Sequence, residues 1–212
     1  MTTANSAAVR LEAPDPVIIA LTERVTEQTL IALAGKNPEY RFETTADGRL
    51  VVSPLTGFFA SGGEAELGRQ IGNWNAEKRL GRVTSSSGGF TLADGAIKGP
   101  DAAFVSHERI ATLSPKRKKR AFEKIAPDAV FELLSPTERL PYTVGKCKEY
   151  VATGSDVAVL IDPRDRSVTL YRKGREPLVF RDADALPIGD EMPGFTLDAT
   201  AIFEASETVG SE

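Results

Sequence analysis

The chain has 212 residues, a formal net charge of -4, 41% hydrophobic and 26% charged residues, which is ordinary for a globular protein and gives no support for general disorder. The acidic balance argues against a protein that coats nucleic acid through a basic surface, although a local basic groove stays open, and the single thiol of Cys147 excludes internal disulfides and cysteine-rich zinc sites. No apolar run approaches the roughly 20 residues that span a bilayer, and residues 1–16 lack the pattern of a secretory signal, so we expect a cytoplasmic location.

The first half of the chain is predicted to mix helices with short strands. The Asp47-Gly48 pair favours a tight hairpin turn between two of these strands. Leu67, Ile71 and Trp74 recur at helical spacing, which predicts an amphipathic helix with Trp74 on its core face. The predicted elements before Asp101 are a helix at 16–34, strands at 40–44 and 49–53, a helix at 63–79, and strands near 82–85 and 89–92.

The second half continues the mixed pattern. Gly154 suits the left-handed C-terminal cap of a helix at 142–153. Strands are predicted at 156–161, 167–171 and 176–180. Because strands lie before and after a central helix, an α/β (α+β) fold with a mixed sheet is favoured over a doubly wound fold. The expected organisation is a flexible N-terminus at 1–15, one domain at 16–205 and a polar tail at 206–212.

Two carboxylates beside short apolar strands are the most informative feature. Asp101 opens one strand and Glu132 lies inside another, where an ionised side chain is costly unless a cation or hydrogen bonds compensate it. Since side chains alternate along a strand, Glu132 shares a face with Val130 and Leu134. If the strands are neighbours, both acids can bind one hard divalent cation. The alternative is structural: Asp101 caps a turn and Glu132 pairs with a basic residue.

Two more groups could complete such a site. Glu66 lies on the flank of the helix at 63–79, where it also suits the helix N-terminus. Lys146 and Lys148 stand about 200° apart on the wheel of the helix at 142–153, so the wheel alone does not choose between them. The basic run at 116–120 is read either as a solvated loop or as a contact to phosphate.

The remaining conspicuous residues favour structural roles. His107 follows Ser106, where it more readily starts a helix than binds a metal. Cys147 fits an apolar, packed position rather than a nucleophile. A lone histidine and the absence of a nucleophile elbow around Ser135 make a serine hydrolase a poor explanation.

Several segments, in their order and spacing, resemble the Uma2-like endonucleases of the PD-(D/E)XK nuclease superfamily. They are YRFETTADGRLVVSPLTG, GGEAELGRQIGNWNAEKRLGRVTSSSGGFTLADGAIKGPDAAFVS, PDAVFELLSPTERL, KCKEYVATG, VAVLIDPRDRSVTLYRKG and LPIGDEMPGFTLD. Each segment is weakly specific, but together they cover most of the chain. The resemblance implies a restriction-endonuclease-like mixed central sheet flanked by helices.

Carried over by position, the resemblance makes Asp101 and Glu132 the paired acids and Glu66 the helix carboxylate that assists the metal. The usual superfamily lysine would stand at Leu134, which is a departure. Uma2-like sequences commonly place it on the next helix, four residues before a tyrosine, which selects Lys146. The implied catalytic residues are Asp101, Glu132 and Lys146, and the implied metal ligands are Glu66, Asp101 and Glu132.

The implied activity is hydrolysis of DNA phosphodiester bonds with Mg²⁺ or Mn²⁺. Asp101 and Glu132, with a main-chain carbonyl near Leu133, would hold the ion, and Lys146 would orient or deprotonate the attacking water. DNA is the expected partner, no membrane is expected, and a homodimer is left open. A competing hypothesis is an inactive nuclease-like fold that acts as a binding or assembly module, and RNA or another phosphodiester is not separated from DNA.

Overall fold

The computed structural model describes residues 16–113 and 121–207. The helices in these ranges are α1 (Glu27–Lys36), α2 (Phe58–Lys78), α3 (His107–Ala111), α4 (Leu140–Ala152) and α5 (Ala199–Ser206). The strands are β1 (Val17–Ile19), β2 (Tyr40–Thr44), β3 (Leu50–Pro54), β4 (Gly81–Ser85), β5 (Phe90–Thr91), β6 (Ile97–Lys98), β7 (Ala102–Ser106), β8 (Ala129–Leu133), β9 (Val157–Asp162), β10 (Ser167–Arg172), β11 (Leu178–Arg181), β12 (Leu186–Pro187) and β13 (Thr196–Leu197).

A six-stranded sheet forms the centre of the fold, in the order β11-β10-β9-β8-β7-β4. β8 and β9 run parallel, and the other neighbours run antiparallel. A three-stranded antiparallel sheet, β1-β3-β2, is separate from it. The mixed central sheet with flanking helices confirms the expected α+β class.

The central sheet carries an apolar core on each face. On one face, α2 and α5 pack with Phe104 and Phe131, and Trp74 lies there as predicted. On the other face, α4 packs with Val130 and Leu134 through residues that include Cys147. Cys147 is therefore a packed core residue, which confirms its interpretation. The central strands β7 and β8 are buried on both faces because both cores depend on them.

Two glycines let α2 approach α5 and the sheet closely. A Cβ built on Gly62 would lie 2.6 Å from the carbonyl oxygen of Ala205. A Cβ built on Gly63 would lie 2.7 Å from Cδ2 of Leu133 and would also clash with Ser206. The two glycines therefore determine how closely the first turns of α2 pack against α5 and the sheet. They thereby also determine the position of Glu64, the next residue of the helix.

The predicted helix at 16–34 is wrong in its first part. Val17–Ile19 form a strand that pairs with β3, and the helix begins only after Thr26, whose side chain accepts a hydrogen bond from the amide of Thr29. β-branched residues favour this extended start. The hairpin at Asp47-Gly48 is confirmed, with Gly48 at a φ of 83°. The other predicted elements lie within a few residues of their observed bounds, including the strand near 89–92, which is β5. Helix α2 begins five residues earlier than predicted, and β6, β12, β13 and α5 were not predicted.

Some predictions concern segments that the structure does not describe. The N-terminal segment 1–15, the basic run at 116–120 and residues 208–212 of the tail lie outside the described residues. Of the tail, Ser206 still belongs to α5. Among the helices in 16–113 and 121–207, none combines the length and apolar character needed to cross a membrane.

Candidate active site

Adjacent strands bring the two predicted acids together. Ala102 of β7 pairs with Phe131 of β8, so the register continued by one residue sets Asp101 beside Glu132. Asp101 accepts a hydrogen bond through Oδ2 from the amide of Leu133, at 2.7 Å. Both acids are buried, 8% and 3% exposed. The structure therefore brings them together where β7 begins and β8 ends, on the sheet face that α4 covers.

Helix α4 contributes an ammonium group to these acids. Nζ of Lys146 lies 3.0 Å from Oε1 and 3.1 Å from Oε2 of Glu132. It also donates to the carbonyl oxygen of Gly99, at 3.3 Å, in the loop that leads to Asp101. Lys148, two residues further, is exposed. The structure thus brings Lys146, and not Lys148, to Asp101 and Glu132.

Strand β2 contributes a third carboxylate. Oε1 of Glu43 lies 3.1 Å from Nζ of Lys146 and accepts from the amide of Gly99 at 2.7 Å. Burial works to raise the pKa of Glu43, but Lys146 and Lys98 outweigh it and lower that pKa below its ordinary value. Glu43 therefore carries a negative charge beside the ammonium group at neutral pH.

Arg41, on the same strand, connects Asp101 to a carboxylate on α2. Its Nη1 lies 3.1 Å from Oδ1 of Asp101, and its Nη2 lies 3.1 and 3.0 Å from the two oxygens of Glu64. Thr56 donates a further hydrogen bond to Glu64 at 2.7 Å. We use the term carboxylate cluster for Glu43, Glu64, Asp101 and Glu132 together with Arg41 and Lys146.

Glu66 is not part of the carboxylate cluster. Its carboxylate accepts hydrogen bonds from Arg69 and Gln70, and Gln70 in turn contacts the main chain of Asp198. Residues two apart on a helix point about 200° apart, so α2 cannot direct Glu64 and Glu66 to the same place. The expectation that Glu66 joins the acids is corrected: the carboxylate that α2 brings to them is Glu64.

Burial dominates the electrostatics of the carboxylate cluster. Burial, with the added effect of Glu64, raises the pKa of Asp101 from 3.8 to about 6. Burial also raises the pKa of Glu132 well above its ordinary value, against the opposing effect of Lys146. Burial works to lower the pKa of Lys146, but Glu132 and Glu43 outweigh it and hold that pKa well above its ordinary value. The ionised acids are therefore costly in this setting, and added positive charge would relieve them.

The donor set fits a divalent cation. With four carboxylates and two cations joined by ion pairs, the cluster keeps two uncompensated negative charges when every acid is ionised. Oε1 of Glu132 is buried and makes no hydrogen bond of suitable geometry with any residue that the structure describes, although Nζ of Lys146 is 3.0 Å away. Within residues 16–113 and 121–207, no three acidic, imidazole or thiol side chains form a ligand set by themselves. Mg²⁺ commonly needs only one or two carboxylates, with waters and substrate oxygens completing its shell.

The carboxylate cluster lies in the wall of a cavity of about 870 Å³. Three large hydrophobic side chains that line it are exposed to solvent: Phe58 is 84% exposed, Leu55 59% and Tyr40 43%. Tyr142, to which no role is assigned from sequence, also lines the cavity, and within the described residues its hydroxyl has no hydrogen-bond partner. The cavity is large enough to admit part of a polymeric substrate to the acids.

Arg41, Glu43 and Glu64 are absent from the prediction made from the residues alone. Arg41 and Glu43 alternate with an apolar residue, which is typical of any two-sided strand and gives no sign that the polar face covers a site. His107 begins α3 after the N-cap Ser106, as expected, and is exposed.

Comparison with known proteins identifies the family. Residues 27–200 match the family Uma2, described as "putative restriction endonuclease". A crystal structure of a "putative nuclease belonging to DUF820" from Anabaena variabilis ATCC 29413 has a similar fold, with a TM-score of 0.72 and 23% identity over 86% of this chain and 99% of that chain. No curated protein matches the chain. Since the family match spans most of its length, the chain belongs to the Uma2 family.

Proposed function

We propose that this protein is a metal-dependent endonuclease that hydrolyses DNA phosphodiester bonds with Mg²⁺ or Mn²⁺. The observation that carries the proposal is the convergence of Asp101, Glu132 and Lys146 on one cavity wall, in a chain of the Uma2 family. Membership alone would not distinguish an active enzyme from an inactive relative. The buried acids and the retained ammonium group favour activity.

Asp101 and Glu132 would hold the cation. Three observations support this role: the two acids are neighbours where β7 begins and β8 ends, one oxygen of Glu132 is buried, and the carboxylate cluster has an excess of negative charge. Glu64 takes the assisting position that the sequence prediction gave to Glu66. When bound, a divalent cation supplies a water of lowered pKa and offsets negative charge on the phosphate.

Lys146 would act through its positive charge. Glu132 and Glu43 raise its pKa, so the amine keeps its proton at neutral pH and is a poor base for the attacking water. A fixed ammonium group can instead donate hydrogen bonds to the attacking or the non-bridging phosphate oxygens, where negative charge develops. Of the two roles implied by the family resemblance, orientation and charge compensation are therefore favoured over proton abstraction.

A cleavage assay tests the proposal. Supercoiled, linear and single-stranded DNA and an RNA of the same sequence are incubated with Mg²⁺, Mn²⁺ or EDTA, using wild type, Asp101→Asn, Glu132→Gln, Lys146→Met and the control Lys148→Met. We expect cleavage of DNA that requires metal, is lost in the first three variants and persists in Lys148→Met. Cleavage in EDTA, or cleavage that the three substitutions leave unchanged, would contradict the site. Binding of DNA without cleavage in any condition would favour the inactive binding module.

A further inference from the structure

We infer that Arg41 is a counter-ion built into the carboxylate cluster, which occupies the acids in the absence of metal and competes with the divalent cation for them. The inference rests on the proposed function, because it concerns the ion that the nuclease would use. It assigns to Arg41 a positioning role at the metal site, acting through Asp101 and Glu64.

The two oxygens of Asp101 have different neighbours. Oδ2 accepts from the amide of Leu133 at 2.7 Å, a partner fixed in the backbone at the end of β8. Oδ1 is 3.1 Å from Nη1 of Arg41. The oxygen that is not tied to the backbone is therefore the one that the guanidinium group occupies. A cation that binds Asp101 through Oδ1 must displace that contact.

Arg41 blocks Glu64 in the same way. Nη2 lies 3.0 and 3.1 Å from the two oxygens of Glu64, so one planar group holds Glu64 of α2 and Asp101, which directly precedes β7, at once. A guanidinium group is suited to this two-armed contact with carboxylates. It holds both acids close together, in an arrangement that a divalent cation could take over.

Arg41 is also the cation that can leave. Its side chain is 31% exposed, against 9% for Asp101 and 14% for Glu64, so it lies on the solvent side of the acids that it joins. The ammonium group of Lys146 differs, because it is 9% exposed and is held by Glu132, Glu43 and the carbonyl oxygen of Gly99. The carboxylate cluster thus combines one releasable positive charge with one fixed positive charge.

Removing the releasable charge has opposite effects on two measurable quantities. Without Arg41, the ionised cluster would carry three uncompensated negative charges instead of two, so a divalent cation should bind more tightly. The metal-free protein should become less stable for the same reason, because Asp101 and Glu64 lose their partner. Loss of an ordinary structural contact would lower stability but would not increase metal affinity.

Binding of Mn²⁺ alone, without DNA, tests the inference. Metal-free wild type and Arg41→Met are titrated by calorimetry, and their melting temperatures are measured with and without Mn²⁺. We expect Arg41→Met to bind Mn²⁺ on the order of tenfold more tightly, to melt lower without metal and to gain more from its addition. The control is Arg69→Met, which removes an arginine paired with Glu66 on α2 away from the cavity and should leave Mn²⁺ affinity unchanged.

The outcomes separate this inference from the proposed function. If Asp101→Asn abolishes Mn²⁺ binding while Arg41→Met binds no more tightly than wild type, the counter-ion role is overturned and the metal site stands. If neither wild type nor Arg41→Met binds Mn²⁺, both are overturned. Arg41→Gln, which removes the charge but keeps hydrogen-bonding groups, replaces Arg41→Met if the latter does not fold, with the same expected gain in affinity.

Discussion

Lys146 of α4 lies within 3.1 Å of both carboxylate oxygens of Glu132 on β8, although the two residues are 14 positions apart in the chain. Leu134, the position at which the family resemblance would lead one to expect a lysine, is buried in the apolar core beneath α4. A flexible four-carbon side chain from the helix therefore supplies the positive charge that the strand lacks. The departure at Leu134 changes where the charge originates but leaves it beside the acid.

Lys146→Met should strongly destabilise the protein. The substitution leaves the buried Glu132 and the largely buried Glu43 without their shared counter-ion. Breaking a buried pair typically costs about 3–5 kcal/mol in the free energy of unfolding. Urea denaturation in EDTA at neutral pH measures the loss. Lys148→Met removes a lysine from the exposed side of the same helix and should change stability by no more than about 0.5 kcal/mol.

A double substitution tests whether the loss comes from the unpaired acid. Lys146→Met combined with Glu132→Gln removes both the ammonium group and one of the two negative charges, so it should recover part of the stability lost in the single variant. If the double variant is no more stable than Lys146→Met, the cost does not arise from Glu132. Equal stability of Lys146→Met and Lys148→Met would contradict the buried ion pair itself.

Glu64 and Glu66 should differ in their importance for metal binding. Glu64→Gln leaves Arg41 paired with Asp101 alone and removes a carboxylate from the cavity, so Mn²⁺ affinity and cleavage should fall, on the order of tenfold or more. Glu66→Gln changes a carboxylate that contacts Arg69 and should leave both quantities near the wild-type values. Calorimetry with Mn²⁺ and plasmid cleavage provide the comparison. A larger effect from Glu66→Gln would restore the sequence-based assignment.

Local periodicity explains which parts of the fold could be predicted. The side-chain alternation of β8 correctly places Glu132 with Val130 and Leu134, because a buried strand must divide its residues between two faces. β1 could not be predicted in this way, since three residues carry no usable period and their partners in β3 lie 31 to 35 positions later. Pairing with β3, which is distant in the sequence, makes Val17–Ile19 a strand although a helix was predicted there.

The limits at the site have a similar cause. Arg41 and Glu43 lie on a hairpin strand of the separate three-stranded sheet, and only the tertiary packing of that sheet brings them to Asp101 and Lys146. Helical spacing predicts that Glu64 and Glu66 point in different directions, but it does not predict which of the two faces the acids. The family resemblance, and not the helical wheel, favours Lys146 over Lys148.

Stability of the metal-free protein should depend on pH through Asp101. Its pKa in the folded protein is about 6, above the usual 3.8, so the folded state holds a proton that the unfolded state releases. The stability that this proton contributes is fully present below pH 3.8 and is lost as the pH rises through about 6. Two pKa units correspond to roughly 3 kcal/mol in the free energy of unfolding.

Asp101→Asn isolates this effect, because asparagine does not ionise. Urea denaturation in EDTA between about pH 4.5 and 7.5 measures the free energy of unfolding. The free energy of unfolding of the variant should rise relative to that of wild type as the pH increases. The exposed Asp190 provides a control, since Asp190→Asn should follow wild type across the range. A constant difference between Asp101→Asn and wild type would contradict the raised pKa. Protons should also compete with the cation for the carboxylate of Asp101. The affinity for Mn²⁺ should therefore be weaker at about pH 5 than at about pH 7.

Gly63→Ala should destabilise the protein although alanine is the better helix former. The new Cβ would lie 2.7 Å from Cδ2 of the buried Leu133 and would clash with Ser206, so α2 must move away from the sheet and α5. Such overpacking typically costs about 1–3 kcal/mol, more than the gain in helix propensity. Gly72→Ala, on the same helix with no heavy atom within 4 Å of the new Cβ, should be neutral or stabilising by up to about 1 kcal/mol.

The same pair of variants reports on the site. Because Glu64 follows Gly63 directly, a shift of this turn of α2 changes the position of the carboxylate that Arg41 holds. Gly63→Ala should therefore weaken Mn²⁺ binding as well as stability, whereas Gly72→Ala should leave Mn²⁺ binding unchanged. Urea denaturation and calorimetry on both variants measure the two effects. Equal stabilisation by both substitutions would show that α2 is not held at the depth that its two glycines permit.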